Sequence, residues 1–139
     1  MSRASGPGLP LDRPQRPGSD RARPPEDDVA VTGVMANLPV SDPGVSERWY
    51  ALVLGGPPAA RPMDGLLEWR PVAGGGLQVW HEPARAGGSG CVLAVDDLDD
   101  VAARLTAAGV VHDGPQPGGG ARLLVLADPD GNRVVLTGA

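Results

Sequence analysis

Val40-Ser41-Asp42 and Val95-Asp96-Asp97 are the same strand-to-helix junction, written twice along one chain. Before each junction the residues alternate like a strand: "VTGVMANLPV" in the first half and "GCVLAV" in the second. After each comes a helix. Asp42 is placed to cap the first, Pro43 takes its first position and Gly55 stops it, with Val45, Trp49 and Leu52 as the expected buried stripe. Asp97 caps the second, Asp99 and Asp100 complement its dipole and Gly109 ends it, with Leu98, Val101, Ala102 and Leu105 on one face. Short strand candidates separated by Gly and Pro follow. They are residues 61–64, "GLLEWRPV" and "GGLQVWHE" in the first half, then "VVHDGP", "ARLLVLAD" and "NRVVLTG" in the second. Each half therefore reads strand, helix, three strands. A sheet with its helix on one face leaves the other face free to curl around something.

The repeat occupies residues 29–139, with modules at about 29–84 and 85–139. Residues 1–28 are crowded with Pro, Gly, Ser, Arg and acids. They lack the apolar surface to offset ordering entropy, so a disordered tail is expected there. Acids and arginines cancel within that tail, which puts the whole net charge of −5 on residues 29–139. The chain has no lysine and the repeat carries no basic stripe, which argues against nucleic acid as a partner. No stretch approaches the roughly 20 apolar residues of a membrane span, and nothing reads as a secretory signal. A single cysteine fits a reducing compartment, so the expected location is the cytoplasm. An acidic domain suits a neutral or cationic, partly apolar small molecule.

The duplicated pattern, with "LPVSD", "VDDLDDVAARLTAAGV" and "DPDGNRVVL" in this order and spacing, resembles the vicinal oxygen chelate superfamily of glyoxalases, extradiol dioxygenases, fosfomycin-resistance transferases and bleomycin-resistance proteins. The resemblance implies an α+β fold: two tandem βαβββ modules forming curled mixed sheets around a cleft. It also implies a homodimer, since members commonly pair and share their clefts. In metal-using relatives four positions hold the ion, and here they fall on Met35, Gln78, Gly90 and Val135. One amide oxygen does not hold a divalent cation, so neither metal nor any other cofactor is expected. His81 and His112 read as loop or surface residues, and Cys91 as packing toward the helix. "GPQPGGG" has no following Lys-Ser/Thr and reads as a hairpin loop.

Strand alternation then names what replaces the metal. Residues of the parity of Met35, Gly90 and Val135 face the cleft, which adds Asn37, Val92, Ala94, Arg133 and Thr137. Gln78 and Trp80 face in from the last strand of the first module, while Glu68 and Trp69 compete for the neighbouring inward slots. The expected ligand-binding set is Met35, Asn37, Glu68, Trp69, Gln78, Trp80, Val92 and Val135, with no catalytic residue. It describes an apolar, tryptophan-walled cleft with a few orienting polar groups. The plainer alternative is that Trp69 and Trp80 fill core or cover a dimer surface.

Two function classes follow from the resemblance. One is a metal-free protein that sequesters a small molecule, as bleomycin-resistance proteins do. The other is a glyoxalase-, dioxygenase- or epimerase-like enzyme with a non-standard site, for which Glu68 or His112 would have to serve as base. A third reading is a regulatory partner protein with a filled cavity.

Overall fold

The computed structural model describes residues 29–139; the tail expected at residues 1–28 lies outside them. From residue 33 onward the order is β1 (Val34–Val40), α1 (Pro43–Leu54), β2 (Ala60–Met63), β3 (Leu66–Val72), β4 (Gly75–His81), β5 (Gly90–Ala94), α2 (Leu98–Ala107), β6 (Gln116–Gly118), β7 (Ala121–Ala127) and β8 (Arg133–Gly138). The strands form two four-stranded sheets, ordered β1-β4-β3-β2 and β5-β8-β7-β6. In each sheet the first strand lies parallel to the last and the remaining pairs are antiparallel. The repeat read from the sequence is thus a repeat of topology. The fold is α+β, two βαβββ modules whose sheets stay open. No helix among the described residues is long and apolar enough to cross a membrane.

Both helices start where the sequence says. Asp42 Oδ1 accepts from the backbone N–H of Gly44 and Val45, and Pro43 opens α1. Asp97 Oδ1 accepts from the N–H of Asp100 in α2. Gly55 follows α1 with φ +88°, a left-handed conformation that suits a residue without Cβ. The buried stripe of α1 differs from the expected one. Ser46, Tyr50 and Val53 face the core, while Val45 and Leu52 are 38% and 45% exposed and Trp49 packs partly against the core. The helix is rotated by one residue from that facing, and the Tyr50 hydroxyl on the buried stripe donates inward to Asp128 Oδ2 at 2.8 Å. In α2 the expected stripe holds, with Val101 at its half-buried margin.

Alternate residues of each sheet bury against the helices: Leu38, Val40, Leu67, Trp69, Leu77 and Val79 in the first, Leu124, Leu126, Val134 and Leu136 in the second. Each such side chain removed from water contributes about 1.5–3 kcal/mol.

The modules are fastened together by the turn "DPDGN". Asp128 is 4% exposed and accepts four hydrogen bonds: Tyr50 Oη, Asn132 Nδ2 and the N–H groups of Asp130 and Asn132. The fully buried Asn132 also donates to the Pro39 carbonyl and accepts from Ser89 N–H. Asp130 receives both the N–H and the hydroxyl of Ser41, at 3.0 and 2.6 Å. A turn in the second module thereby fixes the end of β1 and the entry to α1. Arg104 makes a second fastening, donating from α2 to the Leu52 and Val53 carbonyls at the end of α1.

Candidate functional site

The faces turned away from the helices carry the residues that could meet a ligand. On the first sheet, register places Asn37 opposite Gln78 and Gln78 opposite Glu68. Their side chains form one continuous row. Asn37 Nδ2 donates to Gln78 Oε1 at 3.3 Å, Gln78 Nε2 donates to Glu68 Oε2 at 2.8 Å, and Arg70 donates to Glu68 Oε1 at 2.6 Å. Glu68 is 7% exposed. The Gln78 amide, and then the Arg70 guanidinium, hold its carboxyl below the ordinary 4.5 despite the opposing desolvation. Arg70 was missed by sequence reasoning; its position two residues beyond Glu68 on one strand was the available signal.

A lowered folded pKa fixes the sign of a pH effect. The stability carried by Glu68 is present above its unfolded pKa and is lost as pH falls through the folded one. Glu68→Gln should therefore flatten the acid limb of the stability curve below about pH 4.5. Denaturant unfolding of both proteins at a series of pH values checks this.

The contest between Glu68 and Trp69 resolves in favour of Glu68. Trp69 lies on the opposite face, 4% exposed, packed on Tyr50 with ring centroids 5.8 Å apart, and its Nε1 donates to the Gly56 carbonyl at 2.9 Å. It is a core residue on the helix side of the sheet. Alternation forbids both neighbours from facing the same way, and the apolar indole goes to the helix side. Trp80 shares the face of Gln78, half-buried between Leu66 on β3 and Pro39 on β1. Met35 lies over Gly76, where an added Cβ would stand 3.1 Å from the Met35 sulfur.

The second sheet presents a different surface. Val135 pairs with Val92 on one side and Val125 on the other, all on the open face. Val92 and Val135 help line a depression of about 380 Å³ with Gly88, Ser89, Gly90, Cys91 and Arg133. The structure thus groups Asn37, Glu68, Gln78 and Trp80 on one sheet and Val92 and Val135 on the other.

The donor set does not fit a divalent metal. Met35, Gly90 and Val135 offer no oxygen or imidazole, and Gln78 Oε1 already accepts from Asn37. No group of three His, Cys, Asp or Glu suited to an ion occurs among the described residues. His112 is used elsewhere: Nδ1 accepts from Gly114 N–H, which leaves Nε2 to donate toward the Ala102 carbonyl in the middle of α2. Cys91 packs partly against the core, and burial pushes its thiol up, away from the reactive thiolate.

The family model described as a glyoxalase-like domain matches residues 33–137. No curated protein matches the sequence. Among solved structures, a glyoxalase/bleomycin resistance protein from Catenulispora acidiphila DSM 44928 is similar at 28% identity and TM-score 0.71, over 77% of this chain and 97% of that one. An antibiotic binding protein from Streptomyces sp. CB03234 is similar at 29% identity and TM-score 0.69, over 80% and 98%. A bleomycin-binding protein solved with bleomycin shares the fold at 22% identity and TM-score 0.65, over 76% and 97%.

Proposed function

Because this chain belongs to the glyoxalase-like domain family, within the vicinal oxygen chelate superfamily, we propose that it is a metal-free small-molecule binding protein of the antibiotic-sequestering kind. The ligand lies against the open sheet faces, oriented by the row Asn37–Gln78–Glu68–Arg70. Met35 and Trp80 border that row, and Val92 and Val135 give an apolar wall. The observation that carries this reading is that the row is already bonded to itself. Preorganised polar groups recognise a ligand without the cost of ordering side chains on binding. The same bonds leave Glu68 a weak base at neutral pH, since both its oxygens are engaged and its pKa is lowered. The relatives named as antibiotic- and bleomycin-binding make such compounds, partly apolar and neutral or cationic, the natural first ligands to try.

Calorimetric titration with bleomycin and a panel of polycyclic antibiotics tests the reading. At least one compound should bind saturably, and Gln78→Ala should weaken it about tenfold, the loss of one charge-linked hydrogen bond. Saturable binding that Gln78→Ala, Trp80→Ala and Val92→Ser all leave unchanged would place the ligand elsewhere.

The assembly proposed is a symmetric homodimer. Val92 and Val125 stand 66% and 44% exposed on the second sheet, an apolar face that a second copy would shield from water. Light scattering at tens of micromolar should return about twice the chain mass; a monomer mass contradicts this part.

A further inference from the structure

A separate cavity of about 450 Å³ lies at the seam of the two modules, beside the end of α1 and the flank of α2. Its walls come mainly from helix-facing side chains, Val53, Leu54, Leu93, Val95, Val101 and Leu136, and it includes none of the row from Asn37 to Arg70. The sequence builds it in two ways. The β3–β4 register slips between Trp69 and Val72, which leaves Arg70 and Pro71 without register partners before Val72 pairs again with Gly75. Gly76 also lines the gap, and a Cβ there would collide with the Trp69 carbonyl, so the strand stays bare beside the bulge. Arg104 is the one charged residue of the wall, and its guanidinium is directed at the Leu52 and Val53 carbonyls. Those bonds tie α2 to α1 and hold the wall in place.

We infer that this seam cavity is a second binding site, for an uncharged, largely hydrocarbon small molecule. Its volume lies in the range of small-molecule pockets, roughly 300–1,000 Å³. Apart from Arg104, every lining residue is apolar or glycine, so a charged or strongly polar guest would lose its hydration without replacement. A void lined by aliphatic side chains lacks packing partners, and an apolar guest restores them. Val72, 64% exposed, flanks it with apolar surface that such a guest would cover. The site shares Val92 with the apolar wall proposed above, and the rest of its lining is distinct from the row Asn37–Gln78–Glu68–Arg70 and from Val135.

The uncharged fluorophore N-phenyl-1-naphthylamine, titrated into the full chain, tests the inference. Its emission should rise and saturate with one site per chain. Val101→Trp fills the cavity and should weaken the dye about tenfold or more, because the buried contact area is lost. Ala94→Phe narrows it from the strand side and serves if Val101→Trp fails to fold by circular dichroism. Gln78→Ala should leave dye affinity as in the wild type. No saturable emission, or equal affinity in wild type and the folded cavity variant, overturns the inference. So does a loss in Gln78→Ala as large as that in Val101→Trp, which would put the dye on the open face. Emission that falls as rising concentration drives dimerisation would show that a second copy fills the seam, and overturns it as well.

Discussion

Asp128→Ala should destabilise the folded chain by about 3–5 kcal/mol, because a buried donor left without its acceptor costs about 1–3 kcal/mol and several are orphaned together. Four donors lose their acceptor at once: the Tyr50 hydroxyl, the Asn132 amide and two backbone N–H groups. Tyr50 is fully buried and has no water to turn to. Its hydroxyl is held protonated, pushed far up first by burial and then by the Asp128 charge, so it depends on this one acceptor. Tyr50→Phe removes a single bond and should cost only about 1 kcal/mol. Chemical denaturation of both variants measures the contrast. Because the turn also holds Pro39 and Ser41, Asp128→Ala should loosen β1 and weaken ligand binding with it.

Trp69→Ala should lose about 3–5 kcal/mol of stability, the cost of a large aromatic deleted from a core. The indole fills space against Tyr50 and its N–H holds the Gly56 carbonyl after α1. Trp69→Phe keeps most of that volume and should leave ligand affinity close to wild type. Trp80→Ala should do the reverse, sparing stability and weakening the ligand, because Trp80 is half-buried on the face of Gln78. The pair separates core from cleft by two readouts, a denaturation midpoint and a dissociation constant. A Trp69→Phe protein that folds normally and has lost its ligand would return Trp69 to the binding wall.

The repeat made most of this architecture legible from sequence. Asp42, Pro43, Gly55 and Asp97 are local chemistry, and local chemistry decides helix ends wherever the chain is placed. What stayed closed was facing. "LLEWR" puts Leu66, Leu67, Glu68 and Trp69 side by side without clean alternation, so a one-residue change of register swaps Glu68 for Trp69 at the cleft. The α1 stripe failed for a related reason. Val45, Trp49, Leu52 and Ser46, Tyr50, Val53 have the same helical spacing, and the chosen stripe depends on an acceptor 78 positions away in the chain. "DPDGN" has the residue types of a turn, yet its work as the fastening between modules needs the buried Asp128 and Asn132 to be seen against Pro39, Ser41 and Tyr50. The seam cavity depends on a β-bulge, which leaves no periodic mark in sequence.

The central claim is that binding here uses neither metal nor chemistry. The direct measurement is equilibrium binding by chelator-treated protein, in continued excess of chelator, followed by mass analysis of the recovered ligand. The account predicts the same affinity before and after chelation and a ligand recovered with its mass unchanged. Binding that disappears with chelator and returns with one divalent ion per chain, or a ligand recovered as a product, would contradict it.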